Sequence, residues 1–201
     1  MRCLVVYCHP VETSYCAALH ARVLQALSEA GHQVRDVDLH AENFRPVLER
    51  QERLDYHAEG VNRRGVEIHV DNILWAEAIV FVYPTWWYGL PAMLKGWLDR
   101  VWLPHVAFTL PPDGGAPRPL MRHVRALVGV TTAGASWWWM ALIGSPGRRT
   151  LTRGLRALCH PLCKTVFLAH YAIDRSTQDS RRKFLDRVAR RLSRLGPRLG
   201  T

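Results

Sequence analysis

The most constraining feature of the sequence is the run of residues 78–102, in which an apolar stretch gives way to aromatic residues and then to a helical pattern. Residues 78–83 are rich in β-branched side chains, as is typical of a strand in a parallel sheet that is covered on both faces. We expect Pro84 to end this strand and Pro91 to lie in the first turn of a helix, where its missing N–H costs nothing. Residues 85–90 are therefore predicted to form a loop at the carboxyl end of a strand, where open α/β sheets bind ligands.

Strands and helices are predicted to alternate over the whole chain. The strands are expected at residues 2–8, 33–39, 78–83, 124–131 and 165–170, and the helices at residues 14–30, 66–77, 91–103, 146–158 and 176–195. The polar stretch 40–62 and the Pro- and Gly-rich stretch 110–119 are predicted to be loops. This alternation predicts a single α/β domain over residues 1–201, with a doubly wound, five-stranded parallel sheet in the order 2-1-3-4-5.

The composition argues against several classes of protein. No apolar run reaches the roughly 18 residues of a membrane span, and residues 2–8 lack the flanks of a signal peptide. We therefore expect a cytoplasmic protein with no integral membrane segment. The five cysteines include no C-x-x-C pair, so we expect them to be reduced and buried. Cys159, His160 and Cys163 do not predict a metal site, because no second cluster of suitable spacing accompanies them.

The formal charge of +10 is unevenly distributed. Residues 1–117 carry ten Lys or Arg against fourteen Asp or Glu, a net of −4, whereas residues 118–201 carry seventeen against three, a net of +14. Such asymmetry is compatible with nucleic acid, an acidic membrane surface or phosphorylated small molecules. Residues 181–198, however, place apolar side chains at helical spacing, which favours a solvated helix face. No nucleic-acid-binding signature accompanies the charge, so we do not expect nucleic acid as a partner.

The turn after the first predicted strand, residues 9–14, brings hydroxyl groups and free N–H groups to the start of a helix. This arrangement suits an anion such as phosphate. Ser14 equally fits the role of an ordinary N-cap, and His9 could hold the same phosphate or cap the strand end. The chain has neither a G-x-G-x-x-G fingerprint nor a G-x-x-x-x-G-K-[ST] loop, so neither a dinucleotide-type Rossmann site nor a P-loop is indicated.

The loop after the fourth predicted strand, residues 131–136, supplies small residues where backbone approaches a ligand closely. The three tryptophans at 137–139 cannot all enter one core, so at least one is expected to line a pocket or a subunit interface. The loops after strands one, three and four lie side by side at the switch point of such a sheet. The sequence therefore predicts one site made from all three loops.

The motifs HPVETSYCAAL, YPTWWYGLPAMLKGWLDRVW and TTAGAS together resemble the NAD(P)H:quinone oxidoreductase family of flavodoxin-like flavoproteins, over about residues 1–145. The resemblance implies a homodimer with FMN or FAD near the subunit boundary. It implies hydride transfer from NAD(P)H to the flavin and then to a quinone or similar aromatic electrophile, by a ping-pong mechanism. The same family includes ancillary subunits of potassium efflux systems, so a regulatory flavoprotein subunit is the alternative.

The resemblance assigns the predicted site residue by residue. The phosphate turn matches His9, Thr13, Ser14 and Tyr15; the loop at the ring edge matches Pro84, Thr85, Trp86, Trp87 and Tyr88; and the loop at the pyrimidine end matches Thr131, Thr132, Ala133 and Gly134. The residues predicted to act in catalysis are Tyr88, Thr132 and Trp139.

Three positions depart from the pattern of the family. Cys16 stands where some relatives have Asn in the phosphate turn, which removes a donor. Trp139 and Ser145 stand where mammalian quinone reductases have a Tyr and a His, and neither carries a proton near neutral pH. The resemblance then implies that charge on the reduced ring is stabilised by backbone N–H groups, Thr132 and nearby cations.

Overall fold

A five-stranded parallel sheet forms the centre of the computed structural model, which describes residues 1–111 and 114–196. Its strands, in chain order, are β1 (Arg2–Tyr7), β2 (Gln33–Asp38), β3 (Ala78–Thr85), β6 (Ala126–Ala133) and β7 (Lys164–His170). Their order across the sheet is β2-β1-β3-β6-β7. With these strands counted one to five, the order is 2-1-3-4-5, so the predicted fold is confirmed. The short strands β4 (Phe108–Thr109) and β5 (Arg118–Pro119) form a separate antiparallel pair, in which β4 precedes the predicted loop 110–119 and β5 lies at its end.

Helices cover both faces of the sheet. Their bounds are α1 (Tyr15–Glu29), α2 (Arg50–Leu54), α3 (Glu67–Trp75), α4 (Ala92–Val101), α5 (Trp137–Leu142), α6 (Pro146–Arg149) and α7 (Gln178–Leu192). The predicted helix 146–158 is only partly α-helical, because α6 passes into a π turn at Thr150–Gly154 and a 3₁₀ turn at Leu155–Leu158. Arg198, the last residue of the basic stretch, lies outside the described residues.

Each strand divides its side chains between two apolar layers, as the alternation of a pleated strand requires. Val5 of β1 faces α1 and α7, where it packs with Leu19 and Val188. Val6 faces the opposite layer, where it belongs to the same cluster as Trp97 of α4. All five cysteines are buried and free, as expected from the sequence. In the described part of the chain, no helix has the length and apolar character needed to cross a membrane.

The strand prediction was wrong at Pro84, because β3 continues through Pro84 to Thr85 and pairs with β6 along its whole length. The carbonyl of Val82 accepts from the N–H of Cys8, at 3.0 Å, and so points towards β1. Alternation then turns the nitrogen of Pro84 to the same side, beyond the last residue of β1. The missing N–H therefore breaks no ladder hydrogen bond, which is the condition under which a strand tolerates proline.

The stretch predicted to be a featureless loop, 40–62, is attached to α4 by specific contacts. It contains α2 and part of a 3₁₀ turn at Val61–Arg63. The guanidinium group of Arg100 is paired with the carboxylate of Glu52. Asn62 donates to the carbonyl of Pro104 at 2.9 Å. These contacts hold residues 40–62 against α4 and the segment that follows it. They do not involve residues of the predicted site.

Candidate functional site

The carboxyl ends of β3 and β6 border an open cleft with a volume of about 260 Å³. Six residues from two of the predicted loops form its walls, together with Met140, which the sequence did not single out. The lining consists of Thr85, Trp87, Tyr88, Ala133, Gly134, Ala135 and Met140. The loop after β1 lies beside it, because the ring of His9 is 6.3 Å from the ring of Trp86 between centroids. All three predicted loops therefore meet at one edge of the sheet.

The aromatic wall of the cleft is a tight turn from Trp86 to Gly89. The N–H of Gly89 donates to the carbonyl of Trp86 at 3.0 Å, and the two central residues have positive φ, 46° for Trp87 and 63° for Tyr88. These angles define a type I′ turn, which normally carries Asn or Gly at the centre. Bulky residues there are strained by roughly 1–3 kcal/mol each, and such strain is concentrated at functional sites. The turn leaves the side chain of Trp87 94% exposed.

Helix α5, which carries three tryptophans, contacts this turn through Trp139. Trp139 donates its indole N–H to the hydroxyl oxygen of Tyr88 at 3.2 Å. The rings of Trp138 and Trp139 meet edge to face, with their centroids 5.5 Å apart. Trp137, like these two, is exposed, whereas Met140 is buried. The expectation that not all three tryptophans enter the core is therefore confirmed, but none of them is among the residues that line the cleft or the cavity beside it.

The turn after β1 begins α1, with Ser14 as the N-cap whose side chain accepts from the N–H of Ala17 at 3.1 Å. His9 accepts from the N–H of Val11 through Nδ1 at 3.0 Å. Burial lowers the pKa of His9, so its imidazole is neutral near pH 7. Thr13 is exposed in the same turn. This turn leaves N–H groups at a positive helix end, as anion binding requires.

The next two side chains do not face this turn. The hydroxyl of Tyr15 donates to the carbonyl of Arg181 at 2.8 Å, which ties α1 to α7. Cys16 is buried in the α1 layer, and burial raises the pKa of its thiol to about 12. Tyr15 can therefore serve a bound anion only through its backbone, and Cys16 is a core residue.

The end of β6 carries small and hydroxylated residues. The hydroxyl of Thr131 lies 2.9 Å from that of Thr85 and 3.2 Å from the carbonyl oxygen of Thr132. Alternation turns the side chain of Thr132 to the opposite face of the sheet, towards the α1 layer. Gly134 lies close to the side chain of Asp174, because a Cβ at this position would be 3.0 Å from Oδ2 of Asp174.

A second, smaller cavity adjoins the cleft, and Thr85, Tyr88 and Met140 line both. Its wall includes Tyr83, whose buried hydroxyl has no hydrogen-bond partner in the described part of the chain. It also includes Tyr171, which follows β7. The rule that ligands bind beyond the carboxyl ends of strands could have found Tyr171 from the sequence. Nothing in the sequence indicated Met140, because it is an ordinary apolar residue within α5.

Comparison with known proteins agrees with this architecture. The family model described as "flavodoxin-like fold" matches residues 1–195. The chain belongs to the flavodoxin-like fold family. The flavodoxin-like part of the resemblance stated from the sequence motifs is thereby confirmed, and the three loops described above are the loops of a flavodoxin-like sheet edge.

Among the curated relatives of this flavodoxin-like protein is an uncharacterised NAD(P)H oxidoreductase of Escherichia coli K12. It is 36% identical over 104 residues, which cover 50% of this chain and 52% of the relative. NAD(P)H dehydrogenase (quinone) 1 of Rattus norvegicus is 28% identical over 152 residues, which cover 67% of this chain and 54% of the relative. The chain spans about half the length of these curated relatives.

Solved structures match the flavodoxin-like chain over nearly its whole length. The Smu.1420 protein of Streptococcus mutans superposes with a TM-score of 0.83 at 28% identity, covering 96% of this chain and 99% of that one. An NAD(P)H:quinone oxidoreductase of Methanothermobacter marburgensis superposes with a TM-score of 0.81 at 24% identity, covering 98% and 99%. The second likeness concerns the fold alone.

Proposed function

We propose that this protein is a flavin-dependent oxidoreductase that takes electrons from NAD(P)H and passes them to a quinone or a similar aromatic electrophile. The observation that carries the proposal is the strained turn at Trp87 and Tyr88, which holds aromatic side chains open at the ligand-binding edge of the sheet. The names of the relatives, NAD(P)H oxidoreductase and NAD(P)H dehydrogenase (quinone), support the same class of reaction.

The residues at the site suit a flavin, FMN or FAD. A flavin has a flat ring with polar edges, and the cleft offers aromatic side chains on one wall and the small residues Ala133, Gly134 and Ala135 on the other. None of the seven lining residues carries a carboxylate that would repel the ring carbonyls. The turn at residues 9–14 offers a phosphate the N–H groups of a helix start and the exposed hydroxyl of Thr13. The donor set therefore fits both ends of the cofactor.

When bound, the flavin would supply the hydride chemistry, because no protein side chain accepts a hydride. The chain's own residues would orient the flat reactants. Trp139 fixes Tyr88 through their hydrogen bond, and Tyr88 with Trp87 would hold a planar ring against Ala133 and Gly134. A single open cleft would serve NAD(P)H and the acceptor in turn, which is the arrangement that gives ping-pong kinetics.

The exposed apolar residues near the cleft support a homodimer. Trp87, Trp137, Trp138 and Leu142 are all exposed, and the hydrogen bond from Trp139 to Tyr88 joins the two elements that carry them. Exposed apolar side chains gathered in one region are typical of an interaction site. We propose that a second copy of the chain covers part of this surface beside the flavin. The excess of arginine in residues 118–201 would attract an anionic nucleotide to the same region.

Steady-state kinetics test this proposal. Purified protein supplied with FMN or FAD is expected to oxidise NADH or NADPH with a benzoquinone acceptor, giving the parallel double-reciprocal lines of a ping-pong mechanism. Trp87→Ala is expected to lower kcat/KM at least tenfold, a loss of about 1.4 kcal/mol. Trp75→Phe, which keeps an aromatic side chain, is the control, because Trp75 ends α3 shortly before the first residue of β3 and so lies at the amino ends of the strands, away from the cleft. Protein that shows no flavin-dependent NAD(P)H oxidation, with either flavin and either nucleotide, would exclude the proposed function.

A further inference from the structure

A pair of threonine hydroxyl groups lies beside the cleft. Thr85 on β3 lines the cleft, and Thr131 on β6 lines only the smaller cavity next to it. Thr85 Oγ1 and Thr131 Oγ1 are 2.9 Å apart, and either can be the donor. Thr131 Oγ1 has a second acceptor within reach, the carbonyl oxygen of Thr132 at 3.2 Å. Each hydroxyl carries one hydrogen and two lone pairs, so the pair has two complete arrangements.

The two arrangements differ in what Thr85 offers to its surroundings. In the first, Thr131 donates to the carbonyl of Thr132 and Thr85 donates to Thr131, which leaves only lone pairs on Thr85. In the second, Thr131 donates to Thr85, which frees the hydrogen of Thr85 for another acceptor. Neither arrangement leaves the hydrogen of Thr131 without an acceptor, so reversal costs little.

The surroundings of the pair separate the two roles. Thr131 is 1% exposed, so water does not compete for its hydrogen. Thr85 is half-buried and lines both the cleft and the smaller cavity beneath it. The acceptor to which Thr131 donates therefore determines whether Thr85 offers the cleft a hydrogen or only lone pairs.

A third hydroxyl, that of Tyr83, is available to the pair. Tyr83 lines the smaller cavity together with Thr85 and Thr131, and its buried hydroxyl has no partner in the described part of the chain. Within that cavity, the space open to the centre of a water molecule is about 10 Å³, which is close to the room that one water needs. A bridging water would accept from Tyr83 and donate to the lone pair that either arrangement leaves on a threonine.

A hydroxyl that can either donate or accept a hydrogen bond suits a ligand whose edge changes from acceptor to donor during the reaction. Two-electron reduction turns the carbonyl oxygens of a quinone into hydroxyl groups, and it turns acceptor nitrogens of a flavin into N–H groups. An edge that accepts a hydrogen bond when oxidised then donates one when reduced. A fixed donor would favour the oxidised form and a fixed acceptor the reduced form, whereas a reversible pair serves both.

We propose that Thr85 and Thr131 form a reversible hydroxyl pair, in which Thr85 donates to the oxidised ring in the cleft and accepts from the reduced ring. This inference rests on the proposed function, because it requires a redox-active ring in the cleft. It makes Thr131 a positioning residue that acts through Thr85, although Thr131 has no contact with the cleft.

The proposal predicts different effects for the replacement of Thr85 and of Thr131. Thr85→Val removes the hydroxyl that meets the ring, so the affinities for oxidised and reduced FMN are expected to fall together, about three- to tenfold, as for the loss of one hydrogen bond. Thr131→Val leaves Thr85 able to donate but removes the acceptor for its hydrogen when it must accept. The affinity for reduced FMN alone is then expected to fall, about three- to tenfold. A tenfold loss of affinity for reduced FMN, with the affinity for oxidised FMN unchanged, lowers the two-electron midpoint potential of the bound flavin by about 30 mV.

The test is the midpoint potential of FMN bound to the wild-type protein and to each variant, combined with the dissociation constant of oxidised FMN. Thr131→Ser, which keeps the hydroxyl, is expected to retain the wild-type potential. Thr165→Val is the matched control, because Thr165 lies at the start of β7 in the same sheet and outside both cavities. Thr131→Ala is measured as well, in case valine is not accommodated.

The outcomes separate this inference from the proposed function. If Thr131→Val and Thr131→Ala bind oxidised FMN normally and keep the wild-type potential, the reversible pair is refuted and the proposed function stands. If Thr165→Val shifts the potential as much as Thr131→Val does, the effect is a general one of threonine replacement and the inference also fails. Wild-type protein that binds FMN in neither redox state overturns the proposed function and this inference with it.

Discussion

Replacing Trp87 with asparagine is expected to stabilise the flavin-free protein while weakening the site. Trp87 has a φ of 46° at the first central position of the type I′ turn, where an ordinary residue is disfavoured by roughly 1–2 kcal/mol. Asparagine is among the residues that adopt this conformation readily, so Trp87→Asn is expected to recover about 1 kcal/mol of strain. The turn is held in this conformation by its closing hydrogen bond, from the N–H of Gly89 to the carbonyl of Trp86, and by the flanking elements β3 and α4.

The loss of contacts in this variant is small in comparison. Trp87 is 94% exposed, so roughly 15 Å² of a side chain of about 250 Å² is buried, and at about 25 cal/mol per Å² this contributes only ~0.4 kcal/mol. The net effect on the free energy of unfolding is then an increase of roughly 0.5–1 kcal/mol. The affinity for FMN is expected to fall about three- to tenfold, because one aromatic contact with the ring is lost.

Urea denaturation of the flavin-free protein measures the first effect and an FMN titration measures the second. Trp138→Asn is the control, since Trp138 is also exposed but lies within α5 without a positive φ, and this variant is expected to be destabilised. Unfolding is followed at two protein concentrations, because a partner chain covering Trp87 would make the midpoint depend on concentration. A Trp87→Asn protein that is less stable than the wild type at both concentrations would refute the strain argument.

Two further predictions concern the core and its response to pH. Gly96→Ala is expected to destabilise the protein by about 1–3 kcal/mol in urea denaturation, because its new Cβ would overlap the backbone of Pro46; Gly154→Ala, whose Cβ meets nothing within 4 Å, is the control and is expected to be neutral or stabilising. Burial, and next the charge of Arg100, lower the pKa of His69, so the folded protein binds fewer protons than the unfolded chain and the free energy of unfolding is expected to fall as the pH drops below about 6.5. A His69→Gln variant that loses stability between pH 6.5 and pH 5 as steeply as the wild type would contradict this assignment.

The fold could be predicted because the local spacing of apolar residues in the sequence indicates each strand and most of the helices. Short apolar runs separated by helical spacing specify five parallel strands, and the switch point of such a sheet gathers the loops after β1, β3 and β6. The short helix α2 had no such signal, since none of its residues is buried. It is held in place by Glu52, whose partner Arg100 comes 48 residues later.

The site was predictable in its location but not in its geometry. Nothing in the types of Trp87 and Tyr88 signals a type I′ turn, which normally selects small residues. The hydrogen bond between Tyr88 and Trp139 joins residues 51 positions apart. Tyr15 matched the phosphate turn by its position, yet its hydroxyl donates to the backbone carbonyl of Arg181 instead. Sequence patterns report periodicity and turn chemistry, whereas these contacts depend on how distant elements pack.

Titration of the flavin-free protein with FMN and with FAD tests the central claim most directly. Quenching of flavin fluorescence follows binding, and the saturation point gives the number of flavins per chain. We predict saturable binding of one flavin per chain, weakened by Trp87→Asn and unaffected by Trp75→Phe at the amino ends of the strands. Protein that quenches neither FMN nor FAD would contradict the assignment of the cleft as a flavin site.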